Sequence, residues 1–304
     1  MSNIKVFLRL FFLAIKFDRI ELRLIYILYI YKYLRLHALI RNILIRTGEI
    51  RTMNCEQHLP PCLEIKNLSK QYHAAQKPAV DDLNVVCYPG EIVGLLGHNG
   101  AGKSTTLKCI TGILPYSKGE IVINGFDIAK DPVKAKRTFG YVSDKHDVFV
   151  KLTGIQYVDF MANAYGVSVA DRKARLAELE DVFQLGDRIF DTINDYSHGM
   201  RQKICMMGSL IHNPKLWIMD EPMIGLDPLT SQKVSEFMKE YAKQGNCILF
   251  SSHNINSVQK LCDRAVIIQN GVKTDDFYFE QFECEHPDID LEEYFLSRTA
   301  KAAK

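Results

Sequence analysis

Gly97-His98-Asn99-Gly100-Ala101-Gly102-Lys103-Ser104-Thr105 is the stretch on which the reading of this chain turns. It fits GxxxxGK[ST], and its flanks give that pattern a mechanical meaning. The apolar run Ile92–Leu96 before it reads as a buried strand, and the glycine-rich stretch gives way to helix formers from Ser104 to Ile110. Glycines let backbone N–H groups approach phosphate oxygens, and the start of the following helix adds a favourable partial charge for an anion. Lys103 would neutralise the β- and γ-phosphates, and Ser104 would offer its hydroxyl to Mg2+. All nine residues, Gly97 through Thr105, are expected to cradle a nucleoside triphosphate. A chance glycine-rich turn would not carry both flanks. The string does not say which P-loop family it serves.

Outward from this loop, Leu63–Leu68 alternates apolar and polar as a half-buried strand does, and Leu83–Cys87 repeats the pattern. Asn124-Gly125 and Asn270-Gly271, each between apolar runs, mark hairpins. From about Leu152 to Gln184 the periodicity is helical, with a polar break near Ser168 to Arg172. Beyond it come a helix from Gly199 to Ile211, a strand Leu216–Met219, a helix Leu229–Tyr241, and strands Cys247–Phe250 and Ala265–Ile268. Strand and helix alternate, which predicts an α/β fold with a mostly parallel sheet and a helical insertion at about residues 145–200.

Leu216-Trp217-Ile218-Met219-Asp220-Glu221 is an apolar strand ending in two acids. Alone, such a pair is often a solvated turn. Downstream of a P-loop, Asp220 is expected to hold Mg2+ through its water shell, and Glu221, pointing elsewhere, to polarise the attacking water.

Composition sets bounds on the rest. The chain has 304 residues, 47% hydrophobic and 24% charged, with a net charge of +2, ordinary values for a globular protein. The charge is uneven: residues 1 to 52 carry ten Lys or Arg against three acids, net +7, which leaves −5 for the remainder. That leader contains no Pro, and its longest uncharged run, Leu24–Tyr31, is eight residues, too short to span a bilayer. The leader is expected either to lie on an anionic membrane surface as a basic helix or to precede a true start at Met53. The body would then run from 53 to 304. Eight cysteines without metal-ligand spacing are expected to be free thiols.

Between the P-loop and the acids, 23 residues before Asp220, stands Tyr196-Ser197-His198-Gly199-Met200-Arg201-Gln202. This resembles the signature loop of ATP-binding-cassette (ABC) ATPases. Gly225-Leu226-Asp227-Pro228 looks like that family's D-loop, and His253, 33 residues after Asp220, matches its switch histidine. Tyr72, 31 residues before Lys103, sits where an aromatic usually stacks on adenine. The resemblance runs from about Leu63 to Leu296 and implies a P-loop NTPase core with an antiparallel β subdomain and an inserted helical one. It implies ATP and Mg2+ as cofactors, with Glu221, His253 and Lys103 catalytic, and Ser197, Gly199 and Asp227 meeting nucleotide across a two-fold homodimer.

There are two departures from the family pattern. His198 replaces the first of two glycines, so its side chain must point away from the nucleotide. Asp144, in Phe139-Gly140-Tyr141-Val142-Ser143-Asp144, stands where Gln is usual; it can still meet Mg2+ or water but cannot donate a hydrogen bond at neutral pH. The combination with a C-terminal DLEEYFL looks most like bacterial exporter ATPases. A separate transmembrane permease is then implied, with this chain on the cytoplasmic face of the cell membrane and no nucleic acid as partner. A non-transport ABC ATPase is the alternative; a kinase or GTPase would share the P-loop but not the YSHGM loop or His253.

Overall fold

A strand that is apolar at every position must be covered on both faces, and Ile92 to Leu96 is such a run. A computed structural model describes residues 59–73, 75–145, 149–287 and 291–295. The described chain begins with β1 (Leu63–Lys70), β2 (Val80–Cys87) and β3 (Ile92–Leu96), followed by α1 (Lys103–Ile110). Next come β4 (Lys118–Ile123), β5 (Phe126–Asp127), the short α2 (Pro132–Lys136) and β6 (Phe139–Val142). The helical insertion holds α3 (Gly154–Tyr165) and α4 (Val169–Phe183), with two 3-10 turns up to Asp195. Then follow α5 (His198–Leu210), β7 (Leu216–Asp220), α6 (Pro228–Lys243), β8 (Cys247–Ser252), α7 (Ile255–Leu261), β9 (Arg264–Gln269), β10 (Val272–Tyr278) and α8 (Phe279–Glu285).

The strands form two sheets. One is four-stranded in the order β2-β1-β4-β5 and antiparallel. The other runs β10-β9-β3-β8-β7-β6. Its five strands from β9 to β6 are parallel, and only β10 is antiparallel, joined to β9 by the Asn270-Gly271 turn. The expected architecture is therefore what the chain adopts. Both hairpin turns place Asn and Gly at positive φ, 46° and 83° at 124–125 and 49° and 83° at 270–271, as a two-residue turn matched to strand twist requires.

The period-two pleat splits each central strand between two cores. Val93, Leu95, Leu216, Ile218 and Leu249 join the core shared with α1 and the antiparallel sheet. Ile92, Leu96, Trp217, Met219 and Phe250 join the core under α5, α6 and α7. All five residues of β7 are buried. Each fully buried Leu, Ile or Phe contributes about 1.5–3 kcal/mol, which is what lets this sheet carry a buried carboxylate, Asp220, at a strand end.

The insertion shows where local signals acted. Thr153 and Gln156 form a reciprocal cap at the start of α3, with Thr153 Oγ1 accepting from Gln156 N at 3.3 Å and Gln156 Oε1 accepting from Thr153 N at 3.0 Å. The break between the helices falls at residues 166–168, earlier than the polar run 168–172 suggests. Gly166 ends α3 in the left-handed conformation and Ser168 caps α4 by accepting from Asp171 N, so residues 169–172 are already helical. The insertion is tied to the core through α4: Arg175 lies 6.0 Å from the Phe237 ring centre and 5.9 Å from that of Tyr241, both on α6.

From Leu59 onward the chain is one compact unit. The basic leader and Met53 lie outside the described residues, as does Cys55. The seven described cysteines are free thiols, six of them buried. No helix among the described residues is long and apolar enough to cross a membrane.

Candidate nucleotide and catalytic site

β3 ends at Leu96 and the chain turns through Gly97–Gly102 directly into α1, so the loop hangs on a buried strand at one side and a helix N-terminus at the other. The first amides of a helix have no intrahelical partner and face whatever sits beyond the end. Gly102 makes the turn possible. Its φ is 108°, and a β-carbon there would stand 2.4 Å from the Ala79 carbonyl oxygen, so no other residue fits. Ala101 is buried, and its carbonyl accepts from Gly271 N at 2.9 Å, which fastens the loop to the β9–β10 hairpin. Asn99 and Gly100 are exposed at the loop's outer edge, and His98 turns its Nδ1 back to the Asn99 carbonyl at 2.7 Å.

The side chain of Lys103 is buried and curls under the loop, donating to the carbonyls of Gly97 at 2.7 Å and His98 at 3.2 Å. Its ammonium is 3.6 Å from Glu221 Oε1. Burial pulls the Lys103 pKa below the usual lysine value, against the pull of Glu221 and Asp220. Beside it, Ser104 Oγ donates to Asp220 Oδ1 at 3.1 Å. Tyr72, partly exposed, reaches Thr105 Oγ1 through its hydroxyl at 3.3 Å, and the Lys70 ammonium sits 5.2 Å from its ring centre.

Asp220 is fully buried, and burial raises its pKa above the ordinary aspartate value, partly offset by the hydroxyls of Ser251 and Ser104. Oδ1 is paired, yet Oδ2 is buried without a hydrogen-bond partner. Buried carboxylate oxygens are rarely left so. An orphaned carboxylate oxygen beside a serine hydroxyl is a fit for a hard cation that takes one or two protein oxygens and completes its shell with water and phosphate. Asp144 follows β6, exposed, accepting from Ser143 Oγ at 3.3 Å and lying 3.8 Å from the Lys108 ammonium. Its charge contributes to the raised pKa of Asp220.

Glu221 stands one residue on, with φ at 51°. A left-handed backbone outside glycine costs roughly 1–2 kcal/mol and persists only where the surroundings impose it. Here the Glu221 amide donates to Ser251 Oγ at 3.0 Å, while that hydroxyl donates to Asp220 Oδ1 at 2.5 Å. The carboxylate thus turned points at His253, whose Nδ1 donates to Oε1 at 3.0 Å.

Lys103, Ser104, Asp220, Glu221 and His253 are therefore one cluster, with Tyr72 and Asp144 attached through Thr105 and Lys108. Ser197, Gly199 and Asp227 form a second cluster at the N-termini of α5 and α6. Ser197 caps α5, accepting from Met200 N at 3.3 Å. Asp227 caps α6 through Thr230, whose amide and hydroxyl lie 2.9 and 2.6 Å from its two oxygens and hold its pKa down to about 2. Lys203 Nζ is 3.5 Å from the same carboxylate.

Sequence reading missed Ser251. The signal was the pair of serines ending the otherwise apolar strand CILFSS, where a buried hydroxyl needs a partner. That partner is set by the parallel register, which puts Asp220 opposite Ser251. Ser251→Ala is expected to cost about 1–3 kcal/mol of stability, because the Glu221 amide loses its acceptor and the buried Asp220 carboxylate loses a donor. Thermal denaturation measures this directly; an unchanged melting temperature would show the bridge to be of no structural worth.

Comparison with known proteins adds the following. The ABC transporter family model matches residues 80–224. The linearmycin resistance ATP-binding protein LnrL of Bacillus subtilis is 36% identical over 209 residues, 69% of this chain and 67% of that protein. The ABC transporter ATP-binding protein NatA of Bacillus subtilis is 34% identical over 212 residues, 69% of this chain and 86% of its own length. This chain belongs to the ABC transporter family. It is an ATP-binding subunit of that family and an ATPase. A solved ATP-binding subunit of an ABC transporter superposes with a TM-score of 0.73 at 34% identity, covering 78% of this chain and 98% of that one.

Proposed function

We propose that this ABC ATPase powers export through a separate transmembrane permease, as one half of a two-fold homodimer with ATP in its interface. The observation that carries the catalytic reading is the Glu221 carboxylate, set between Lys103 and His253 and one residue beyond a buried aspartate with a free oxygen. Phosphoryl transfer needs positioning and charge neutralisation more than covalent chemistry. The P-loop residues Gly97 to Thr105 would hold the phosphates, Lys103 would pair with their charge, and Tyr72 would stack on the base. Ser104 and Asp220, with Asp144 nearby, would hold Mg2+, whose contribution is to neutralise phosphate oxygens. Glu221 would take a proton from the attacking water, and His253 would hold both that carboxylate and the terminal phosphate.

The exporter reading is supported by the sequence motifs and by LnrL, a resistance protein by name. A permease would place this chain at the inner face of the membrane. For the homodimer, the support is that Ser197 and Asp227 are exposed and Gly199 is partly so. These residues cluster at the N-termini of α5 and α6, and among the described residues their side chains bond to Met200, Thr230 and Lys203 rather than to Lys103 or Glu221, so they would meet a nucleotide held by a second copy.

Light scattering tests the pairing. Glu221→Gln protein, in which turnover is stalled, is expected to double in mass on adding ATP and to be monomeric without nucleotide. A monomer under both conditions would overturn the homodimer.

A further inference from the structure

The signature turn departs from its family at His198, and the structure shows what that residue does within its own chain. We propose that His198 is a positioning residue for Glu221. Its ring wedges the first turn of α5 against the turn 222–227, so the two move as one body and hold the Glu221 carboxylate in place. This rests on the reading of Glu221 as the general base.

The turn that follows Glu221 is held by α5 along its length. Near its start, Gln202 Nε2, fully buried, donates to the Pro222 carbonyl at 2.8 Å. At its far end, Lys203 Nζ lies 3.5 Å from Asp227 Oδ2. In the middle stands Gly225, with φ at 82°. A β-carbon on Gly225 would be 2.2 Å from His198 Cδ2 and 2.9 Å from Nε2, so the imidazole occupies the space where a side chain would begin. A β-carbon on Gly199 would stand 2.6 Å from the Gly225 carbonyl oxygen, which puts the next residue of α5 equally close. The turn closes back on the base, since Ile224 N donates to the Glu221 carbonyl at 3.3 Å.

Glu221 is the residue with most to lose from slack in this turn. Its φ of 51° is a backbone state that its surroundings must impose. Ser251 imposes it from the strand side, and the turn 222–227 does so from the other. A glycine at 198 would leave Gly225 without the ring, and a carboxylate displaced by a fraction of an ångström loses alignment with the water it must activate. His198 thus links the segment bearing Ser197 and Gly199 to the catalytic carboxylate of the same chain.

Four variants test this: His198→Gly, His198→Phe, His198→Asn, and His198→Gly combined with Glu221→Gln. His198→Gly is expected to lower kcat about tenfold with KM for ATP unchanged, the signature of an interaction used only in the transition state. His198→Phe, which keeps the planar ring, should retain most of the parent kcat. In the Glu221→Gln background His198→Gly should have no further effect, because its action passes through that carboxylate. Parent-like kcat in His198→Gly overturns the proposal, and so does a full second loss in the double variant. If His198→Phe falls as far as His198→Gly while His198→Asn does not, a polar contact rather than packing is at work, and the proposal is again overturned. Should His198→Gly fold poorly, the Phe and Asn pair still decides. Failure of the Glu221 assignment is recognised separately, by normal turnover in Glu221→Gln alone.

Discussion

Glu221→Gln is expected to bind ATP as the parent chain does and to turn it over at least ~10²-fold more slowly, the range for loss of a general base. The amide is nearly the size and shape of the carboxylate, so the substitution removes proton affinity and charge and little else. Gln at 221 has the same left-handed backbone to adopt, at the same cost as Glu, and the amide bond to Ser251 Oγ is made by the main chain. The fold should therefore be preserved, and the melting temperature should stay within a few degrees. What changes is the interior charge: Lys103 loses its anionic neighbour at 3.6 Å and His253 loses the anion that accepts its Nδ1 proton at 3.0 Å. Lys103 is then more, not less, available to phosphate, and so binding is retained while chemistry stops. Single-turnover measurement with equilibrium ATP binding checks both halves. Near-normal turnover would remove Glu221 from the role of base.

His253→Ala is expected to abolish measurable hydrolysis while leaving the melting temperature within a few degrees. The two outcomes belong together because of where the ring sits. Its side chain is 47% exposed, so truncation opens no core cavity, and substitutions at such positions usually change stability by less than about 0.5 kcal/mol. Its bond is to the Glu221 carboxylate rather than to the body of the fold. Without the imidazole, the carboxylate keeps Lys103 as its one ion-pair partner among the described residues and is drawn toward the P-loop, away from an attacking water. A paired measurement of melting temperature and single-turnover rate decides. A protein that unfolds early, with its folded fraction hydrolysing normally, would make His253 a packing residue and sink the assignment.

The readable parts of this protein were contiguous ones. The nine residues from Gly97 to Thr105 declare a phosphate loop because one loop's own backbone does the binding. Asp220 and Glu221 are adjacent, so their divergent directions follow from one strand end. The α/β alternation, the two Asn-Gly hairpins and the helical insertion follow from local periodicity and turn chemistry. The elements that escaped are short: α2, β6, α7 and α8 span five, four, seven and seven residues, too few for a period to declare itself. The α3–α4 boundary was misplaced because a polar run suggested a break where Gly166 and Ser168 had already made one.

By itself, then, the sequence determined the nucleotide loop, the acid pair and the order of strands and helices, since each is encoded within a few bonds of itself. Tertiary structure alone decided which distant groups meet them. Ser251 reaches Asp220 because β7 and β8 pair in parallel across a crossover helix, and that register is set by packing rather than by any local signal. His253 faces Glu221 because Ser251 pins the Glu221 backbone in a left-handed state that no propensity favours. His198 lies against Gly225 because Gln202 and Lys203 hold α5 to the turn beyond the catalytic strand. Contacts between residues some 20 to 30 positions apart require loops to close before they form, and only the folded sheet brings those ends together.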